Sequence, residues 1–186
     1  MKQTKFKLSL IIITVFLIGC KIYSIEKQLV YFSCIKKQEL DNLNIKKLFK
    51  AEVIKVVDGD TVKVKMLDYN RKFNKVETIR FIGVDTPETV HPKKSVQYFG
   101  KEASEYTKRE LNGKIVYLGF DNNLRDKYNR LLCYCYTEDG LFINYRIIYN
   151  GYGYAYIKYP FVYAKKFKKA EKEARKSERG LWAPLK

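Results

Sequence analysis

The chain has 186 residues, with 37 basic against 20 acidic side chains and a formal net charge of +17. It is long enough for one domain with an appendage and a buried core. Its single histidine, His91, rules out a multi-histidine zinc site and leaves a Ser-His-Asp triad only if His91 itself serves.

Lysine and arginine recur along the whole length, so the charge suits a polyanionic partner, and 16 tyrosines and 11 phenylalanines offer faces for stacking bases. A lysine-rich coding bias would give the same charge with no partner. Residues 1–19 read as an address. Lys2, Lys5 and Lys7 precede the uncharged stretch 8–19, too short for a membrane span and suited to a signal-peptide core. Leu17-Ile18-Gly19-Cys20 is similar to the bacterial lipobox, in which cleavage leaves Cys20 lipidated at the new amino terminus. The expected product is an exported lipoprotein, anchored to membrane through Cys20; a secreted protein and a short uncleaved anchor are the alternatives. Residues 20–49 are polar and lysine-rich without a clear period, and read as a tether or marginal helix. Apart from Cys20 the exported part keeps Cys34, Cys133 and Cys135, an odd number for a disulfide framework. Cys133 and Cys135 are two apart in an expected strand, hence on one face, as small buried hydrophobes.

From Ala51 the texture changes. Expected strands at 51–57 and 61–67 flank Asp58-Gly59-Asp60, a hairpin signal because glycine and aspartate tolerate the positive φ of a tight turn. A third strand is expected at 77–84, broken by Thr86-Pro87. Periodicity predicts a helix over 98–111, with Phe99, Ala103, Thr107 and Leu111 on one stripe and Asn112-Gly113 as its stop. Strands at 114–120 and 130–137 follow, then a helix at 141–150 stopped by Gly151. A last helix, 161–177, turns Phe161, Ala164, Phe167, Ala170 and Ala174 inward. Its Lys165, Lys166, Lys168 and Lys169 read as a solvated face with general attraction to phosphate. Five short strands with an inserted helix suit a small Greek-key barrel of the OB type.

The chemistry gathers in Asp60, Arg80, Asp85, Glu88 and Arg130. Hard carboxylates suit Ca²⁺ and guanidinium forks suit phosphate oxygens. Plainer roles exist for four of them: Asp60 in the turn, Arg80 in a cross-strand ion pair, Glu88 as a loop acid, Arg130 at a strand end.

Val57-Asp58-Gly59-Asp60-Thr61-Val62 and the run from Arg80-Phe81-Ile82-Gly83-Val84 to Asp85-Thr86-Pro87-Glu88-Thr89 resemble the two signature segments of the staphylococcal nuclease (thermonuclease) family. Asp126-Lys127-Tyr128-Asn129-Arg130 resembles its third, and Gly180-Leu181-Trp182 its usual ending. The resemblance runs from about Ala51 to Trp182, within a domain expected at 50–183. It implies an α+β fold, a five-stranded OB-fold β-barrel with three helices. It also implies a monomeric, Ca²⁺-dependent, sugar-nonspecific endonuclease that cleaves DNA and RNA, single-stranded or frayed for preference, and leaves 3′-phosphate ends. The alternative is a noncatalytic nucleic-acid-binding surface lipoprotein on the same fold.

Position by position, the resemblance makes Asp60 and Asp85 metal carboxylates and Thr86 a ligand through its backbone carbonyl. Arg80, Glu88 and Arg130 become the catalytic trio. Asp126 and Tyr128 lie near the arginine and the nucleotide phosphate, and Lys93 and Lys94 fall in the loop beside the cleft. The family commonly has glycine where this chain has Asn129, a residue that also visits the left-handed region. Tyr154, Tyr156 and Tyr159 are each candidates for the base-stacking tyrosine.

Overall fold

The computed structural model describes residues 48–68, 71–89 and 97–184, all within the unit that spans 44–186. Cys20, Cys34, His91, Lys93 and Lys94 lie outside the described residues, as do the expected signal, lipobox and most of the tether.

Strand β2 (Thr61–Met66) alternates cleanly: Val62, Val64 and Met66 are buried while Lys63 and Lys65 are exposed. That period puts one face on a core and the other in water. Strand β1 (Phe49–Asp58) pairs antiparallel with β2, from Ala51 opposite Met66 to Asp58 opposite Thr61, through two register shifts. Such bulges bend a strand, and the start of β1 pairs with β5 (Ile115–Arg125), Ala51 facing Val116. Strand β3 (Val76–Phe81) pairs with β2 and, in parallel, with β6 (Leu131–Thr137), which pairs with β5. The five close into a barrel in the order β1-β2-β3-β6-β5. Its interior holds Val53, Val62, Val64, Ile79, Phe81, Leu118 and Leu131.

The expected strand at 77–84 ends at Phe81 because the chain turns at Ile82-Gly83. Gly83 takes φ +71°, and a Cβ there would come within 2.4 Å of the Phe161 ring. Beyond the turn, the two-residue strand β4 (Val84–Asp85) pairs with β7 (Tyr154–Ala155), an element with no signal of its own in the sequence. β4 is thus a separate ribbon that carries Asp85.

Helix α1 (Gly100–Leu111) buries Ala103, Tyr106, Thr107 and Leu111, and the Thr107 hydroxyl donates to the Gly59 carbonyl at 2.6 Å. Phe99 precedes the helix and is only half-buried, so the expected stripe loses its first member. Helix α2 (Ile143–Tyr149) packs on β6 through Ile143, Ile147 and Ile148. Helix α3 (Ala164–Lys176) packs on α2 with Phe167, Ala170 and Ala174 buried. It starts three residues later than expected; Phe161 precedes it and touches Phe167 with its ring. A short 3₁₀ turn, Gly180–Trp182, follows. Cys133 and Cys135 are both buried and free, and burial pushes both thiols well above their ordinary value. Among the described residues no helix is long and apolar enough to cross a membrane.

Candidate active site

The Asp58-Gly59-Asp60 corner joins β1 to β2 as expected, but not for the expected reason. Gly59 is not among the residues with positive φ. A Cβ on it would lie 2.8 Å from the Thr86 Oγ1 and 2.9 Å from the Thr86 Cβ. The glycine therefore serves close approach: it lets the segment after β4 press against the β1–β2 corner. There the Thr86 N–H donates to Asp60 Oδ2 at 3.0 Å, while the Thr61 hydroxyl donates to Asp60 Oδ1 at 2.9 Å. Asp60 is 3% exposed, so its charge needs these donors and a cation.

Arg80 supplies the cation. On β3 it stands opposite Thr61 in the register, and its guanidinium bridges Asp60 through Nη1 and Asp85 through Nη2, the latter at 2.8 Å. The plainer role of cross-strand ion-pair partner is thus filled by the same residue. Burial draws the guanidinium below the ordinary arginine value, Arg130 pushes the same way, and Asp85 opposes. That mutual repulsion marks two arginines in one field. Leu132 on β6 is the register partner of Arg80, so Arg130, two residues earlier, lies on the same side.

Arg130 is held by Asp126, Nε at 2.7 Å from Oδ2, while Asp126 Oδ1 accepts from the backbone N–H of Tyr128 and Arg130. The turn closes with Asn129 at φ +63°, the left-handed position that glycine would fill. Tyr128 is exposed, with its ring under the Arg130 guanidinium at 5.3 Å. Arg80, Asp85, Asp126, Tyr128 and Arg130 all line one open cleft of about 800 Å³. Tyr156, Lys158, Tyr159 and Phe161 form its other wall. Of the three candidate tyrosines, Tyr156 and Tyr159 therefore face the cleft, whereas Tyr154 packs edge-on against Trp182.

Glu88 is fixed from two sides. Gln97 accepts from the Glu88 backbone N–H through its side-chain oxygen at 2.9 Å and donates its own N–H to the Glu88 carbonyl at 3.0 Å. Asp58, a residue the sequence marked only as part of the turn, accepts from the Gly59 N–H at 2.8 Å and the Thr89 hydroxyl at 2.7 Å. Burial raises the Asp58 carboxyl; the bonds from Thr89 and Gly59 oppose that, and the adjoining Glu88 side chain adds to it. The Glu88 carboxyl thus borders the same β1–β2 corner that carries Asp60.

Among the described residues no cluster of three or more acidic, histidine or cysteine side chains surrounds a single point. The carboxylates that share a cation are Asp60 and Asp85, and the Thr86 backbone is bonded to the first of them. The two carboxylates form an all-oxygen, incomplete set. That fits a hard divalent ion whose remaining positions go to water or substrate oxygens, and does not fit a closed structural site.

Sequence reasoning missed Gln97, Asp58 as a brace, Lys158 and Asn144. Asn144 is fully buried in α2; it donates to the carbonyls of Ile82 and Cys133 and accepts from the Cys135 N–H. A buried asparagine beside Tyr145 and Arg146 in a short helix gives no signal of the turn it secures. For Lys158 the tyrosine-rich run around it was the available clue.

Residues 78–184 match the family model described as "Staphylococcal nuclease homologue". A thermonuclease of Staphylococcus hyicus is 38% identical over 133 residues, covering 71% of this chain and 75% of that protein. A thermonuclease of Staphylococcus intermedius is 39% identical over 131 residues, with 70% and 74% covered. The endonuclease YncB of Bacillus subtilis is 37% identical over 143 residues, with 75% and 64% covered.

Proposed function

This chain belongs to the staphylococcal nuclease family, and from that premise we propose that it is a Ca²⁺-dependent endonuclease that hydrolyses the phosphodiester bonds of DNA and RNA. The observation that carries the reading is the meeting of Arg80 and Arg130 at one cleft lined also by Asp85, which Arg80 ties to the buried Asp60.

Asp60, Asp85 and the Thr86 backbone carbonyl would hold the ion. What it supplies when bound is polarisation of the phosphodiester and relief of charge on the attacked phosphate. Arg80 and Arg130 donate N–H groups to the non-bridging oxygens on which charge grows. Asp60 and Asp85 occupy only part of the five-donor fork of Arg80. Each preorganised donor of this kind typically lowers the barrier by about 3–4 kcal/mol. Glu88 accepts a proton as the water oxygen attacks phosphorus. The bond to O5′ breaks, its electron pair leaves on that oxygen, and protonation there completes the addition of one water. The products carry a 3′-phosphate and a 5′-hydroxyl. Lys127, Tyr128, Tyr156 and Tyr159 present charge and ring faces rather than a base-reading pattern, which supports action without sequence or sugar preference.

Export and lipid attachment at Cys20 belong to the same proposal, as do phosphate contacts from Lys93 and Lys94; the sequence motifs support them. Fatty-acid labelling that persists in Cys20→Ala would remove the anchor from the account.

The test uses protein from Lys21 onward. Denatured DNA and RNA are followed with added Ca²⁺ and with chelator, and product ends are mapped. Cleavage of both only with Ca²⁺, leaving 3′-phosphates, is the expected result. Chelator-resistant cleavage or 5′-phosphate ends would reject the metal role or the bond assignment. Binding without cleavage would leave a noncatalytic module.

A further inference from the structure

We propose that the outer face of α3 is a second polyanion-binding surface, along which a nucleic-acid strand leaving the cleft past Lys158 and Tyr159 continues over Lys165, Lys169, Lys172 and Lys176. The inference rests on the nuclease reading for what occupies the cleft.

The stripe follows from helix geometry. With Phe167, Ala170 and Ala174 buried, steps of 100° carry Lys165, Lys169, Lys172 and Lys176 to the opposite pole, and all four are exposed. Among the described residues none of the four makes an ion pair, whereas Arg80, Arg125, Arg130 and Arg175 each meet a carboxylate. Of the two acids on α3, Glu171 is spent on Arg175 and on the Ala155 N–H. Like charges at i,i+4 cost about 0.2–0.5 kcal/mol each, a cost a polyanion would reverse; the other acid, Glu173, forms no ion pair with Lys169 or Lys176 among the described residues.

The stripe begins four residues along the chain from the cleft wall. Lys158, Tyr159 and Phe161 line the cleft, the Phe161 ring lies 5.4 Å from that of Phe167 on α3, and the Val162 N–H donates to the cleft residue Asp121. Lys165 stands in the first turn beyond. From Lys165 to Lys176 the helix rises about 16 Å, the length of about five phosphates of a stacked strand. A membrane surface fits less well. Helices that lie on lipid turn an apolar face to it, and α3 spends its apolar face inside the fold.

The experiment measures binding of single-stranded DNA by the full chain, with chelator present so that strands stay intact. Oligonucleotides of about 20 and about 4 nucleotides are compared across a salt series. The stripe variant replaces Lys165, Lys169, Lys172 and Lys176 with glutamine. A control replaces Lys55, Lys63, Lys65 and Lys75, exposed on the β1–β2 side, and so removes the same charge. Surface changes of this kind leave folding within about 0.5 kcal/mol, which circular dichroism checks. The stripe variant is expected to lose about 2–3 from the salt slope for the long strand and about tenfold or more in affinity. The short strand should change little, and so should the control. Equal losses in the two variants would reduce the effect to net charge and overturn the proposal, as would an equal loss for the short strand. Lost binding to phosphatidylserine vesicles with long-strand affinity intact would also overturn it, assigning the face to a membrane. A wild-type chain that binds with this length dependence yet fails to cleave in Ca²⁺ would reject the nuclease reading and still support the stripe.

Discussion

Replacing Asn144 with alanine tests whether one buried side chain holds the turn that delivers Asp85. Asn144 makes three hydrogen bonds, of 2.9, 3.0 and 3.1 Å, to the Cys135 N–H and the carbonyls of Ile82 and Cys133. The Cys133 carbonyl keeps a second donor, the Ile82 N–H at 3.0 Å, so the truncation orphans two groups: the Cys135 N–H and the Ile82 carbonyl. A buried unsatisfied group costs about 1–3 kcal/mol, so two cost about 4 kcal/mol, which lowers the melting temperature of a domain of this size by about 10–15 °C. Thermal and urea unfolding followed by circular dichroism read the change directly. Cleavage measured well below the new midpoint should fall only in part, because Asn144 touches none of the cleft arginines but holds the Ile82 backbone of the turn that delivers Asp85. A loss below about 1 kcal/mol would mean that water or a shifted backbone satisfies both groups, and that Asn144 does not hold the turn.

Glu77 is buried and takes a bidentate hold from Arg125, at 2.8 and 3.0 Å, plus two bonds from Asn74. Burial alone would raise its carboxyl, but these partners outweigh it and hold it below the ordinary glutamate value. A depressed folded-state value stabilises above the unfolded one and is lost as pH falls through the folded one. Glu77→Gln should therefore cost about 2 kcal/mol near neutrality, with the gap from wild type closing in acid. A gap that stays constant with pH, measured by urea unfolding, would contradict this. Gln97→Ala should lower kcat about tenfold with KM little changed, by loosening the Glu88 backbone, and Gln97→Glu, which keeps the acceptor, should recover most of the loss. A loss confined to KM would mean that Gln97 acts on the neighbouring loop instead.

Local chemistry was the legible part of this molecule. The alternation Val62-Lys63-Val64-Lys65-Met66 fixes a two-faced strand, and the helix of 100–111 announces itself by its stripe and its Asn-Gly stop. The candidate site residues stand out as a group in the sequence because their motifs are compact. Their partners do not. Nothing local says that Arg80 bridges Asp60 and Asp85, although the resemblance already set Asp126 near Arg130. Barrel closure was equally hidden: β3 meets β6 in parallel over only Ile79–Phe81 against Leu131–Cys133, too short for a periodic signal. Gly59 shows how a correct element can have another cause. Its corner was expected from turn chemistry, yet the glycine is there because Thr86 comes so near.

Single-turnover cleavage of single-stranded DNA in Ca²⁺ by Glu88→Gln, with circular dichroism confirming the fold, probes the proposed active site head-on. Removing a group that takes a proton in the transition state is expected to slow the chemical step by about 10²–10⁴-fold, with binding of the strand retained. A folded Glu88→Gln protein that cleaves within about threefold of wild type, far short of that range, would contradict the role of Glu88 and with it the active site assigned between the cleft and the β1–β2 corner.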